Sequence, residues 1–261
     1  QQPQQPQQPQ PPEPPKPSAR EELYSLIGLD GVKRDVQELI ALMQYQQKRK
    51  EQGKKTSPVS MHMVFTGNPG TGKTTVARII ARLYYEMGIL DKDTIVEVDR
   101  SKLVAKFVGH TADQTNKIIE QAKGGVLFID EAYTLAKPSS ENDFGQEAID
   151  TLLKAMEDNR DNLVVIVAGY TAEMHRFISS NPGLKSRFKK FIEFEDYNGE
   201  QMKEIFLKMA ISDEYTVDAA ALEAAGKHFE VLYRARDSRF GNGRVVRNFY
   251  QDVLAKVASR S

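Results

Sequence analysis

Cysteine is absent from the 261 residues. That excludes a disulfide framework and any thiolate metal site, and it is compatible with a reducing cytoplasm. A charge of one sign is also missing, because Lys+Arg and Asp+Glu both total 36. No global field therefore draws the chain towards nucleic acid or an anionic membrane. Long apolar runs are lacking too: the longest, Val126–Ile129 and Leu163–Ala168, are far too short to span a bilayer. They read as buried parallel strands. There is no charged-then-apolar signal peptide and no internal repeat. The histidines (His62, His110, His175, His228) are scattered with no i, i+4 pair, which argues against a histidine metal site. A cytoplasmic protein without membrane insertion is the expectation.

What the chain does have is sharply divided. Residues 1–17 are almost wholly Gln and Pro, with eight of the twelve prolines, and cannot bury a core. Residues 1–20 are expected to be a disordered segment or linker, a spacer or tether rather than a Pro-rich ligand. The abrupt start suggests a fragment of something longer. From Glu21 the composition is globular. Asp30 is placed as the N-cap of a helix with Val32, Val36, Leu39, Ile40 and Met43 on one face. The basic run Lys48–Lys55 that ends it reads as a solvated helix end, favoured by the dipole, over a nucleic-acid patch. Strands (63–65, 94–98, 126–130, 163–169, 191–194) then alternate with helices (about 112–123, 145–158, 171–180), which implies a parallel sheet covered on both faces. Beyond Asp196 the strand signals stop. Asn198 with Gln201 forms a capping box, Asp218 caps a second helix and Gly243 opens a third. The expected division is an α/β core over 21–196 and a small all-α domain over 197–261.

Gly67-Asn68-Pro69-Gly70-Thr71-Gly72-Lys73-Thr74 sits between the apolar Met63-Val64-Phe65 and a helical pattern of Val76, Ile79, Ile80, Leu83 and Met87. Strand, glycine loop, helix is the context that turns a G-x4-G-K-T match into an ATP site. Backbone N–H groups turn inward around phosphate oxygens, and the helix N-terminus adds its positive end. Lys73 would reach the β- and γ-phosphates, and the Thr74 hydroxyl would ligate Mg²⁺, with Thr75 following in the same turn. One βα unit on, Val126–Ile129 ends in Asp130 and Glu131. Asp130 would hold Mg²⁺, usually through water, and Glu131 would deprotonate the attacking water. A GTPase would want N-K-x-D, and Asn116-Lys117-Ile118-Ile119 fails at the aspartate. Arg187 precedes the last strand, where an arginine could reach the γ-phosphate of a neighbouring subunit, an effect worth roughly 10³–10⁵ in rate, although taken alone it reads more often as a helix-end surface charge. Arg244 and Arg247 begin the final helix, where cations are disfavoured by the dipole and so call for a functional reason.

With these pieces in order, residues 21–258 resemble the AAA+ ATPases: a P-loop NTPase fold whose parallel sheet is sandwiched by helices and followed by a helical lid. Within them the chain is similar to the CbxX/CfqX family, which includes red-type rubisco activase, stage V sporulation protein K and type VII secretion ATPases. The resemblance is carried by His62–Gly70, Phe107–Ala112, Phe128–Tyr133, Ala168-Gly169-Tyr170, Asn181–Leu184 and Gly243–Asn248. It implies that Ile27-Gly28 seats the adenine on backbone. It also implies that Arg187 is a trans-acting finger and Arg244 the lid's sensor arginine, with Arg247 as fallback. Phe107-Val108 would line the pore of a homo-oligomeric ring, hexameric by resemblance, and grip a client polypeptide through a flat apolar face. The chain departs from wider AAA+ expectation after the fourth strand. Where asparagine is common it has Gly169-Tyr170-Thr171, leaving Tyr170 or Thr171 to polarise the water.

Three functions compete. The leading one is an ATP- and Mg²⁺-dependent ring motor that remodels a protein client by pore-loop pulling. The second is a nucleotide-switched scaffold with little mechanical work, which would need neither Glu131 nor Phe107. The third, a DNA-acting AAA+ protein, lacks a winged helix, zinc module or basic domain after the lid.

Overall fold

A computed structural model describes residues 16–57, 59–105, 107, 109–136 and 144–259. The expectations for residues 1–15 and for Val108 lie outside the described residues. Five strands, β1 (Met63–Gly67), β2 (Ile95–Val98), β3 (Val126–Ile129), β4 (Val164–Gly169) and β5 (Lys190–Phe194), form one parallel sheet in the order β2-β3-β4-β1-β5. Phe65 lies opposite Ala168 on one side and Ile192 on the other.

Period-two alternation divides the strand residues between two cores. Met63, Phe65, Phe128 and Ile166 face α1 (Ala19–Tyr24), α2 (Asp30–Glu51) and α3 (Lys73–Glu86). Val64, Leu127, Ile129, Val165 and Val167 face α4 (Arg100–Leu103), α5 (Thr111–Ala122), α6 (Gly145–Asp158), α7 (Thr171–Ser179) and α8 (Pro182–Arg187). Being buried on both sides, the central strands read in the sequence as unbroken apolar runs. A third core joins α9 (Gly199–Ser212), α10 (Ala219–Arg234) and α11 (Gly243–Ala258) through Met202, Phe206, Phe229, Val246 and Tyr250. Phe206 meets the rings of Phe249 and Tyr250 edge-on at 5.5 and 5.9 Å.

The local signals mostly hold. The reciprocal Asn198/Gln201 box is formed, and Asp218 accepts the Ala221 N–H at 2.7 Å. The α2 face of Val32, Val36, Leu39, Ile40 and Met43 is buried as the periodicity requires. Asp30, however, is the first helical residue and not its cap. Leu29 precedes it in a left-handed conformation (φ 59°) with no capping side chain, so Asp30 acts only as a negative charge in the first turn. Helix α1 went unforeseen because it is short, although Ser18 and Glu21 close a capping box at its start. Arg82 of α3 pairs with Glu22, and the Ala19 N–H reaches the Glu86 carboxylate at 3.1 Å. Among the described residues no helix is long and apolar enough to cross a membrane.

Candidate nucleotide site

The carboxyl ends of β1, β3 and β4 open on one side of the sheet, where a parallel α/β fold binds its ligand. There a cavity of about 670 Å³ is lined by Pro69, Gly70, Gly72, Lys73, Thr74 and Thr75 from the glycine loop. Asp130 and Glu131 join from β3, Tyr170 from β4, Ile27 from the turn before α2, and Arg244 and Arg247 from α11. Helix α3 starts at Lys73 after Gly72 (φ 97°) with no capping side chain, so its first-turn N–H groups stay open to an anion.

Lys73 folds over the loop: its Nζ donates to the carbonyls of Gly67 at 2.9 Å and Asn68 at 2.7 Å. Burial pushes its pKa down to about 8, with Arg244 adding to the fall and Asp130, Glu131 and Asp196 opposing it. Burial raises the pKa of Asp130, and the neighbouring Glu131 charge adds to that. The Glu131 N–H, Lys73 and Arg244 act the other way. A partly desolvated carboxylate beside a threonine hydroxyl is a hard-oxygen donor set that fits Mg²⁺, which keeps waters and phosphate oxygens as its other ligands. Among the described residues no group of three or more His, Cys, Asp or Glu side chains could hold a metal.

Glu131 occupies a left-handed backbone position (φ 49°), a conformation found where neighbouring structure holds a residue in place. The Tyr133 hydroxyl donates a short hydrogen bond to its carboxylate. Burial, then that bond, raises the Tyr133 pKa. The Tyr133 ring lies against Gly169, where an added Cβ would stand 2.7 Å from it. Position 169 is thus a glycine because the ring that steadies Glu131 needs the space.

Three expected nucleotide residues lie outside the cavity lining. Asn68 turns its amide outward to Asp196 at 3.0 Å, Thr71 is fully buried with its hydroxyl on the Asn68 carbonyl, and Gly28 packs beneath Gln201. The Asn68 and Thr71 side chains are thus engaged away from the cavity lining. Thr171 starts α7 outside the lining, whereas Tyr170 is in it. Arg187 is also elsewhere. It is 26% exposed and lines a separate cleft with His62, Glu157 and Arg160, 3.6 Å from Glu157, and its Nε is buried without a partner. Phe107 is 73% exposed on the segment between α4 and α5. The sequence reading missed the residues that the lid adds to the cavity lining: Tyr197, Lys208, Met209, Ser212, Asp213 and Tyr250. Tyr250 donates to Asp213 at 2.7 Å. No local motif marks these residues, because the folded lid alone brings them to the cavity.

The family model described as "ATPase family associated with various cellular activities (AAA)" matches residues 63–196, and an AAA lid domain model matches residues 198–261. The chain is 45% identical over 242 residues to stage V sporulation protein K of Bacillus subtilis, covering 92% of this chain and 74% of that protein. It is 43% identical to CbbX of Cereibacter sphaeroides, covering 90% and 75%. A solved FIGL-1 AAA domain in complex with ADP shares the fold, with a TM-score of 0.55, 19% identity, and 80% and 70% of the two chains covered. With both models matched and such relatives spanning most of its length, the chain is an ATPase that binds nucleotide, and it belongs to the CbxX/CfqX family of AAA+ proteins.

Proposed function

We propose that this ATPase is a ring motor, hexameric by resemblance, whose core (21–196) and lid (197–261) hydrolyse Mg-ATP in the cytoplasm to pull on a protein client. The observation that carries the reading is the separation of its charged parts. The carboxylates, Lys73 and Arg244 share one cavity, while Arg187 is held in another cleft. An arginine that cannot serve its own phosphates is suited to a neighbour's, and a site completed between subunits makes turnover depend on assembly.

The following roles, several of them implied by the resemblance, are supported by the shared cavity lining. Backbone N–H groups of residues 68–75 and Lys73 bind the phosphates. Thr74 and Asp130 would hold Mg²⁺, which would supply charge neutralisation on the phosphoryl oxygens. Glu131 takes the proton of the attacking water, with Tyr133 orienting its carboxylate and Tyr170 at hand to polarise that water. Ile27 and the backbone at Gly28 seat the base. The strongly exposed Phe107 is an apolar contact for an extended peptide, which favours a motor over a switched scaffold.

Turnover per subunit against protein concentration at saturating Mg-ATP tests the reading. The rate should climb and then saturate, and added Arg187→Ala subunits should lower wild-type turnover beyond dilution. A rate that is flat for a monomer, or purely additive mixing, would overturn it.

A further inference from the structure

The outer side of the phosphate loop is braced by the lid. Its successive carbonyls are all taken: Lys73 Nζ holds those of Gly67 and Asn68, and the Asn242 amide reaches that of Pro69 at 3.4 Å. The Gly243 N–H donates to Gly70 at 2.9 Å, and the Tyr197 hydroxyl donates to Thr71 at 3.1 Å. Of these four donors, three belong to the lid or to the segment leading into it. The approach is backbone to backbone, since a Cβ on Gly70 would stand 2.2 Å from the Gly241 carbonyl and 2.9 Å from the Arg244 nitrogen.

Asn242 is the centre of this contact. It is fully buried, and its backbone (φ 49°, ψ −120°) lies in a region that suits glycine. A side chain kept there against that strain has work to do. Its Oδ1 accepts the Tyr197 N–H at 2.8 Å, and its Nδ2 donates to Asp196 Oδ1 at 2.8 Å and to the Phe240 carbonyl at 3.0 Å. Asp196 collects two more donors, Asn68 Nδ2 of the phosphate loop at 3.0 Å and Arg236 Nε at 3.2 Å. One amide therefore ties the hinge, the phosphate loop and the turn that launches α11. Arg244 follows two residues later.

We propose that Asn242 is a positioning residue for the ATPase reaction, locking the start of α11, and with it Arg244, to the phosphate loop through Asp196, which also holds the Asn68 amide. The inference rests on the reading of Arg244 as the lid arginine that meets the nucleotide. Movement of the lid and the shape of the loop are then a single degree of freedom, because neither can shift without breaking buried hydrogen bonds.

Asn242→Gly is the informative variant: glycine accepts the backbone conformation, so the amide is lost without added strain. Steady-state ATPase kinetics and thermal melting are measured for it, for Arg244→Ala and for the double variant. Asn242→Gly should raise KM and lower kcat/KM on the order of tenfold or more. The double variant should be no slower than Arg244→Ala alone. Wild-type kcat and KM in Asn242→Gly, or losses that multiply in the double variant, would overturn the proposal. A loss in Arg244→Ala without one in Asn242→Gly refutes the positioning alone, whereas wild-type turnover in Arg244→Ala refutes both readings. If Asn242→Gly does not fold, Asp196→Asn at the partly exposed hub replaces it, and the same comparisons decide.

Discussion

Lys73 sits in the site with its pKa pushed from 10.5 to about 8, chiefly by burial. That displacement, about 2.5 pH steps, corresponds to roughly 3 kcal/mol by which the empty pocket disfavours the ammonium. A bound triphosphate places several negative charges at the same nitrogen and returns the pKa towards or above its ordinary value. Binding therefore takes up a proton wherever the free site has lost one, and affinity falls as pH rises through 8. With the bound group still protonated, Kd should weaken about 25-fold between pH 7.5 and 9.5, approaching tenfold per pH step. Titration calorimetry at constant ionic strength, in two buffers of different ionisation enthalpy, reads both quantities. About half a proton should be taken up at pH 8. Lys73→Arg should bind more weakly at pH 7.5 but lose the slope, since guanidinium does not titrate in this range. An affinity flat from pH 7.5 to 9.5, with no proton uptake, would refute the reasoning.

Glu131→Gln spares the phosphate cradle and removes the base, so turnover should fall on the order of 10²-fold or more while ATP affinity is kept; stopped hydrolysis with intact calorimetric binding is the check. Phe107→Ala removes an exposed apolar contact and, on the proposed ring motor, should abolish client processing; unchanged processing would refute the proposed pore role of Phe107. His62 is buried, accepts the Val165 N–H at Nδ1, and has its pKa lowered to about 4 by burial and then by Arg187. Because the unfolded chain binds the proton more readily, this group's contribution is present above pH 6.5 and lost as pH falls towards 4. The loss is up to about 3 kcal/mol. Denaturant melts of the wild type and His62→Gln should converge across that window.

The sequence by itself determined what depends on neighbours in the chain. The glycine loop between β1 and α3, Asp130 and Glu131 at the end of β3, the Asn198/Gln201 box and the buried face of α2 are all written in residues a few positions apart. Local hydrogen-bond needs and hydrophobic period suffice to read them. Asp30 shows the limit of such reading, since a residue type that favours caps was taken instead as the first residue of the helix. Only the tertiary structure decided that Arg187 stands apart from the cavity, that Tyr133 holds Glu131, and that Tyr197, Asp213 and Tyr250 line the cavity. The brace at Asn242 belongs with these. Three of its four partners, Tyr197, Asp196 and Pro69, lie 45 or more residues away in the chain, and such pairs meet only when the lid packs against the phosphate loop. A buried polar group takes whatever partner the packing brings, and the packing of distant apolar faces carries no local signature.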